Sequence, residues 1–444
     1  MSNYKNISIE NYTYELPPDK IACYPLTERD TSNLLVFNDG QIEKDTFCHI
    51  ADYLPHDSLM VFNNTRVVQA RLLFRKSTGA CIEIFCLEPM GADRDIQQAF
   101  QQTHKSSWFC LVGNAKKWKK GALSLSDDTG LMLKATRGAT VKDGYIVHFE
   151  WHDETLPFAE VLERAGKTPL PPYISRSAEE SDKLRYQTIF ARHAGSVAAP
   201  TAGLHFTDNV MESLAKRNIS PVSITLHVGA GTFKPVTSET LKDHAMHHEQ
   251  IVFTRQTIEQ LLSFCTKDII SVGTTSMRSL ESLYWLGVKL GNGYRIPESG
   301  FEITQWEPYE NSMCITDIGE YAYGGKDKVQ DSNNTSKLLS EKLPKSTVSA
   351  TQSLEVIIKY MNEKGLEEIH GETALIIVPG YQFQLANILV TNFHQPQSTL
   401  LLLVAAFCGD QWRSIYNFAL NNDFRFLSYG DSCLLFGQKG ALGR

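Results

Sequence analysis

Between Val67 and Trp151 the chain changes its rhythm. Short β-type runs (VVQARLLF, ACIEIFCLE, SWFCLVG, LSLS, LMLKAT, YIVHFEW) follow one another, separated by Gly, Asp and Ser turns. Only 92–103 carries any helical periodicity. Closely spaced short strands predict a small antiparallel barrel. On both sides, strand-like runs alternate with helical patterns, which predicts an α/β frame. The expectation is therefore a main α/β domain with a mixed, barrel-like or Rossmann-like sheet from 1–66 and 153–444. A small antiparallel β-barrel domain, 67–152, is inserted into it.

Within the frame, LLVFN (34–38) with Asp39-Gly40 predicts a strand and hairpin turn. Further strands are expected at DSLMVFNNT (57–65), VSITLHV (222–228), IISVG (269–273), LIIVP (375–379) and ILVTNF (388–393). Helices are expected over 208–217, 255–265, 276–285, 354–364 and 398–407. An irregular acidic region of about 286–373 interrupts this series.

The longest apolar run, Leu400–Cys408, is far too short to span a bilayer, and MSNYKNISIE has no apolar signal region. Nine scattered cysteines without a CxxC pair point to reduced thiols, hence a cytoplasmic protein. The net charge of −7 argues against a nucleic-acid partner until its distribution is considered. Glu298–Asp331 alone holds eight acids against two lysines, leaving the rest nearly neutral. Basic clusters stand elsewhere, at Arg66, Arg71, Arg75 and Lys76, and at Lys116, Lys117, Lys119 and Lys120 around Trp118. A basic run enclosing an aromatic can follow phosphates and stack a base; a solvated loop is the plainer reading.

The stretch 186–236 is dense in glycine, alanine and serine, with Thr201, His205, His227 and Thr232 set among them. It reads either as the floor of an active site or as a tightly packed core. At Gly273-Thr274-Thr275-Ser276 a strand gives way to a helix, where an anion site and ordinary N-capping are both open. Arg278 adds a fork for carboxylate or phosphate. Pro379-Gly380-Tyr381 and Thr391-Asn392-Phe393-His394 also follow strand-like runs, so their residues would line the same crevice if the strands share a sheet. Tyr381 and Phe393 would then stack on a planar base, or be core aromatics. His244, His247, His248 and Glu249 form HxxHHE. On a helix it could bind metal; extended, it puts His247 beside Glu249, which suits an oriented imidazole. GxGxxG after a strand, a Walker A loop and a GxSxG elbow are all absent, which speaks against dehydrogenases, P-loop NTPases and serine hydrolases.

With YELPPDKIACYPL, VFNNTRVVQARL, TPLPPYI, YQTIFARHAGSVAAPTAGLHFT, TLHVGAGTFKPV, HAMHHE, VGTTSMRSLES, VPGYQF, TNFHQPQSTLLLLVAAF and FRFLSYGDSCLL, the chain resembles the S-adenosylmethionine:tRNA ribosyltransferase-isomerases of queuosine biosynthesis. The likeness covers roughly 12–285 and 374–437. It implies transfer of the ribosyl part of S-adenosylmethionine to 7-aminomethyl-7-deazaguanine at the wobble base of a tRNA anticodon, giving epoxyqueuosine-tRNA and releasing adenine and methionine. It also implies no required metal or other cofactor, S-adenosylmethionine being consumed. The expected partners are that co-substrate and the tRNA, without a membrane, for a monomeric enzyme. A sulfonium acidifies the adjacent C5′ hydrogens, so a histidine suffices as base. On this reading His205, His227 and His247 carry acid/base work, with Glu249 orienting an imidazole. Thr201, Thr232, Thr274, Thr275, Arg278, Tyr381, Asn392, Phe393 and His394 bind substrate, and Arg66, Arg71 and Lys116, Lys117, Lys119, Lys120 steer tRNA. Two departures stand out: Gln397 where the family carries lysine, and the enlarged acidic region. The alternatives are a metal-dependent hydrolase built on HxxHHE and a tRNA-binding module without chemistry.

Overall fold

The structure, a computed structural model, describes residues 3–90, 96–128, 130–141, 144–229, 231, 236–310 and 348–437. One mixed sheet has the order Phe301–Ile303, Glu368–Thr373, Glu249–Thr254, Ser220–His227, Leu59–Asn63, Ile269–Val272, Ile388–Asn392, Ser432–Phe436, Asn33–Asn38, Gln41–Thr46. At its centre, Leu59–Asn63 is parallel to both neighbours and Ile269–Val272 is parallel to Ile388–Asn392.

The central strands read as unbroken apolar runs because both faces of the sheet are covered. Leu59 and Val61 enter a core with Met277, Leu280, Leu354 and Leu402. Met60 and Phe62 enter the opposite core with Phe206, Val210 and Leu214. The helix Thr274–Gly291 is buried along 274–288 and packs against the helix Ala350–Lys364. That contact needs glycine at 287, where a Cβ would lie 2.1 Å from Ser353 Oγ. The hairpin turn is as expected, with Asp39 and Gly40 both at positive φ (47° and 82°) between antiparallel strands.

A second sheet is wholly antiparallel, ordered Gly166–Lys167, Arg71–Arg75, Cys81–Pro89, Lys105–Gly113, Gly144–Trp151, Met132–Val141, Leu123–Ser126. It has its own core, including Leu72, Phe74, Ile84, Trp108 and Phe149. That core continues past 152 through Phe158, Val161 and Leu162 of the helix Phe158–Ala165, and Gly166–Lys167 returns to pair with Arg71 and Leu72. Packing thus carries the unit to about residue 167. Among the described residues the ladder is open-ended, so the finding is a seven-stranded antiparallel sheet.

Two expectations fail. LIIVP is not a strand: the adjacent strand is Glu368–Thr373, and 374–378 is buried outside any ladder, its Ile376 N–H donating to Gln305 O and Val378 N–H to the Tyr309 hydroxyl. Secondly, the acidic region is not one separate insert. Its strand Phe301–Ile303 extends the main sheet, the helix Ala350–Lys364 covers it, and 311–347 lie outside the described residues. Among the described residues no helix is long and apolar enough to cross a membrane.

Candidate active site

Where the parallel strands end, the chain turns to form one cavity. Ala198, Ala199, Pro200, Thr201 and Ala202 line it from the small-residue stretch, with Val228, Gly273–Thr275, Thr391–Gln395, Ser428 and Tyr173. A crevice at the carboxyl ends of parallel strands is where such sheets take ligands. Gly273 adopts φ 94° and donates its N–H to Val390 O at 2.8 Å, tying two strand ends together. It is also the N-cap of the 18-residue helix and supplies no side-chain cap, so N–H groups and the positive helix end face the cavity beside Thr274 and Thr275. Opposite, the Tyr173 and Ser428 hydroxyls bond each other at 2.6 Å.

Of the residues singled out from the sequence, Thr201, Thr274, Thr275, Asn392, Phe393 and His394 line this cavity directly. His205 stands one contact behind it. Its Nε2 receives the Asn392 amide N–H at 3.1 Å, and its Nδ1 lies 2.8 Å from Ser32 Oγ. Burial pushes its pKa down to about 4, so the ring is neutral near pH 7. His394, bonded to Thr391 Oγ1 at 2.8 Å, is lowered by burial to about 3.

A charged cluster adjoins the Val228 side. The carboxylate of Glu249, fully buried, accepts from Arg278, from the Gly229 N–H at 3.3 Å and from His247 Nε2 at 3.1 Å. Arg278, expected to present its fork to a ligand, instead turns onto Glu249 and is not among the cavity-lining residues. The reason is electrostatic, since either charge buried alone would cost several kcal/mol. His247 packs against Gly229 and Gly231, and a Cβ at Gly231 would come within 2.5 Å of its Nδ1.

His227 points towards the helix Ile96–Gln101. Its Nε2 is 3.3 Å from Gln97 Nε2, its Nδ1 3.4 Å from Thr65 Oγ1, and a Cβ at Gly195 would collide with the ring at 2.3 Å. Tyr381 is elsewhere, in the core: its hydroxyl donates to Glu281 at 2.7 Å and receives Trp285 Nε1–H at 2.9 Å. It stacks on no cavity, and burial lifts its carboxylate partner Glu281 to about 7. Phe393, although in the cavity wall, is fully buried among Tyr416, Phe424 and Phe426. Thr232 lies outside the described residues.

HxxHHE is extended rather than helical, with His247 on Glu249 and His248 turned to Glu302 and Glu372. Among the described residues no three His, Cys, Asp or Glu side chains gather as metal ligands, and the hydrolase reading loses its basis. Lys116, Lys117, Lys119 and Lys120 are exposed, but Trp118 between them is 1% exposed with Nε1–H on Gly121 O, so it cannot stack on a base. Arg66 is exposed near Glu163, and Arg71 is held by Glu83 and the Phe85 ring. Gln397 sits at φ 55°, its N–H on Tyr12 O and its carbonyl receiving Val236 N–H, so its backbone bonds hold whatever the side chain.

Ser32, Thr65, Gln97, Tyr173 and Ser428 were not singled out as site residues. Tyr173 in TPLPPYI, Thr65 in NNTR and Ser428 in FRFLSYGDSCLL stood in motifs that drew attention, whereas Ser32 and Gln97 stood in none.

Fold and cavity define a mixed-sheet α/β protein with a ligand crevice at its parallel strand ends. The queuosine biosynthesis protein family model matches residues 9–300 and 341–435, and the chain belongs to that family. Among curated relatives, the S-adenosylmethionine:tRNA ribosyltransferase-isomerase of Azoarcus sp. is 35% identical, matched over 97% of each chain. The protein of that name from Pelobacter propionicus is 33% identical, over 96% of this chain and 99% of its own. A solved S-adenosylmethionine tRNA ribosyltransferase from Thermotoga maritima is 25% identical over 96% of this chain and 99% of that one, with a TM-score of 0.42. The family match leaves out only 301–340 between its two parts, a narrower departure than the acidic stretch suggested.

Proposed function

We propose that the cavity binds S-adenosylmethionine and that the enzyme transfers and isomerises its ribosyl moiety onto 7-aminomethyl-7-deazaguanine at the tRNA wobble position. Epoxyqueuosine-tRNA forms, and adenine and methionine leave. The observation that carries this reading is the meeting of Thr201, Thr274, Thr275, Asn392, Phe393 and His394, from separate family motifs, in one crevice. The helix start at Thr274 and Thr275 suits the methionyl carboxylate.

Among the three histidines, His247 is the one served by a carboxylate. Its Nε2 lies 3.1 Å from Glu249, which would orient the ring as the base for the C5′ proton. Arg278 then acts through Glu249, fixing its charge and position. His205 orients Asn392, and His227 braces the junction with the second sheet. That sheet and the helix after it, with their separate core, are read as an inserted barrel-like domain of about 67–167, whose exposed lysines 116, 117, 119 and 120 steer tRNA with Arg66 and Arg71. On this reading the enzyme is a cytoplasmic monomer that needs no metal or other cofactor.

The test is to mix protein, S-adenosylmethionine and an anticodon stem-loop carrying the deazaguanine. Adenine release that requires the modified base, with a matching mass gain on the RNA, is expected. RNA binding without adenine release would instead mean a binding module.

A further inference from the structure

We infer that Asn392 accepts a hydrogen bond from the α-ammonium of the methionyl group, held in the receptive orientation by His205. This rests on S-adenosylmethionine being the cavity's ligand.

Asn392 is 2% exposed and lines the cavity. Its Nδ2 lies 3.1 Å from His205 Nε2 and 3.4 Å from the Asp431 carbonyl oxygen. A carbonyl only accepts, so the amide nitrogen belongs on that branch and Oδ1 on the other. His205 Nε2 must then carry a lone pair, which puts the ring proton on Nδ1, donated to Ser32 Oγ at 2.8 Å. The ring is packed against Phe47, which helps hold its orientation, while its hydrogen-bond partners set the tautomer. Asn392 Oδ1, by contrast, is buried with no hydrogen-bond partner among the described residues. A buried acceptor left empty is costly, and one in a cavity wall is a place made for a ligand's N–H or O–H.

Sheet register selects which donor. Val272 pairs with Val390 in parallel and Gly273 N–H bonds Val390 O, so Thr274 and Asn392 follow adjacent strand ends, and both line the cavity. Thr274 begins the helix that suits a carboxylate. In an α-amino acid the ammonium is one carbon from the carboxylate. A ligand whose carboxylate caps the helix therefore presents its ammonium to the next strand end, where the amide oxygen waits.

Titration calorimetry on the full-length protein with two ligands tests this: S-adenosylmethionine, and 5′-methylthioadenosine, which keeps adenine and ribose but lacks the amino acid. Asn392→Ala is expected to weaken S-adenosylmethionine by about 10- to 100-fold, the range for a charge-assisted hydrogen bond. Methylthioadenosine should change by less than about twofold, which also shows that the variant folds. His205→Leu should lower the ratio of the two affinities, and His205→Gln, whose amide oxygen can accept the Asn392 N–H, should restore it. Equal weakening of both ligands would put the Asn392 bond on adenine or ribose and overturn the inference, as would no change in either. Wild-type protein that binds methylthioadenosine but not S-adenosylmethionine would overturn the reading of the cavity itself, and this inference with it.

Discussion

Two polar clusters flank the cavity and are built on opposite principles. On one side Ser32, His205 and Asn392 form a neutral chain, in which burial keeps the imidazole uncharged and each group has one orientation. On the other, Arg278, Glu249 and His247 form a charged chain, where a buried carboxylate holds a guanidinium on one oxygen and an imidazole on the other. A desolvated, neutral histidine is a poor proton carrier at pH 7 but a good spacer. A histidine on an anchored carboxylate is suited to accept protons. On the proposed function, the same residue type would serve geometry in one place and chemistry in the other.

The largest effect should come from breaking the charged chain. Glu249→Ala leaves the Arg278 cation buried and unpaired, and urea unfolding should show a loss of roughly 3–5 kcal/mol with turnover abolished. Arg278→Ala sharpens the contrast. Since it acts through Glu249, kcat and stability should fall far more than S-adenosylmethionine affinity; a selective loss of affinity would return Arg278 to the ligand.

The neutral chain predicts a pH effect. His205 has a folded pKa of about 4 against 6.5 when exposed, so the unfolded chain binds its proton first as pH falls. The stability from its neutral burial is complete above 6.5 and is lost on acidification towards 4. Between pH 7 and 5 this amounts to about 2 kcal/mol of unfolding free energy, which His205→Gln should remove from the pH slope. An unchanged slope would mean the folded ring titrates as it does in the unfolded chain, contrary to the contrast drawn here. Smaller still, Tyr381→Phe deletes a core hydroxyl between Glu281 and Trp285. Stability should drop by about 1–2 kcal/mol with KM for S-adenosylmethionine unaltered. Replacing Lys116, Lys117, Lys119 and Lys120 by serine should leave stability within about 0.5 kcal/mol and flatten only the salt dependence of tRNA binding.

Strands were readable wherever both sheet faces are buried, because LMVF, IISV and ILV leave no doubt about burial. For the same reason Thr274, Thr275, Asn392 and His394 were legible as residues of the crevice: they follow such runs, and parallel sheets present ligands there. Side-chain partners were not legible. Arg278 meets Glu249 across 29 residues of chain, and nothing local marks that pairing over a ligand contact. Nor does sequence distinguish His205 from His247, since desolvation of one and the carboxylate on the other arise only from tertiary packing. Trp118 misled because the basic residues around it say nothing of where its ring goes. LIIVP has the composition of a strand but finds its hydrogen bonds in 305–309 instead of a ladder.

The most direct measurement is a diffraction structure with S-adenosylmethionine bound. The account predicts the methionyl end between Thr274–Thr275 and Asn392, with C5′ on the side facing His247. Ligand density outside this crevice, or C5′ turned to the His205 side with His247 remote from it, would contradict it.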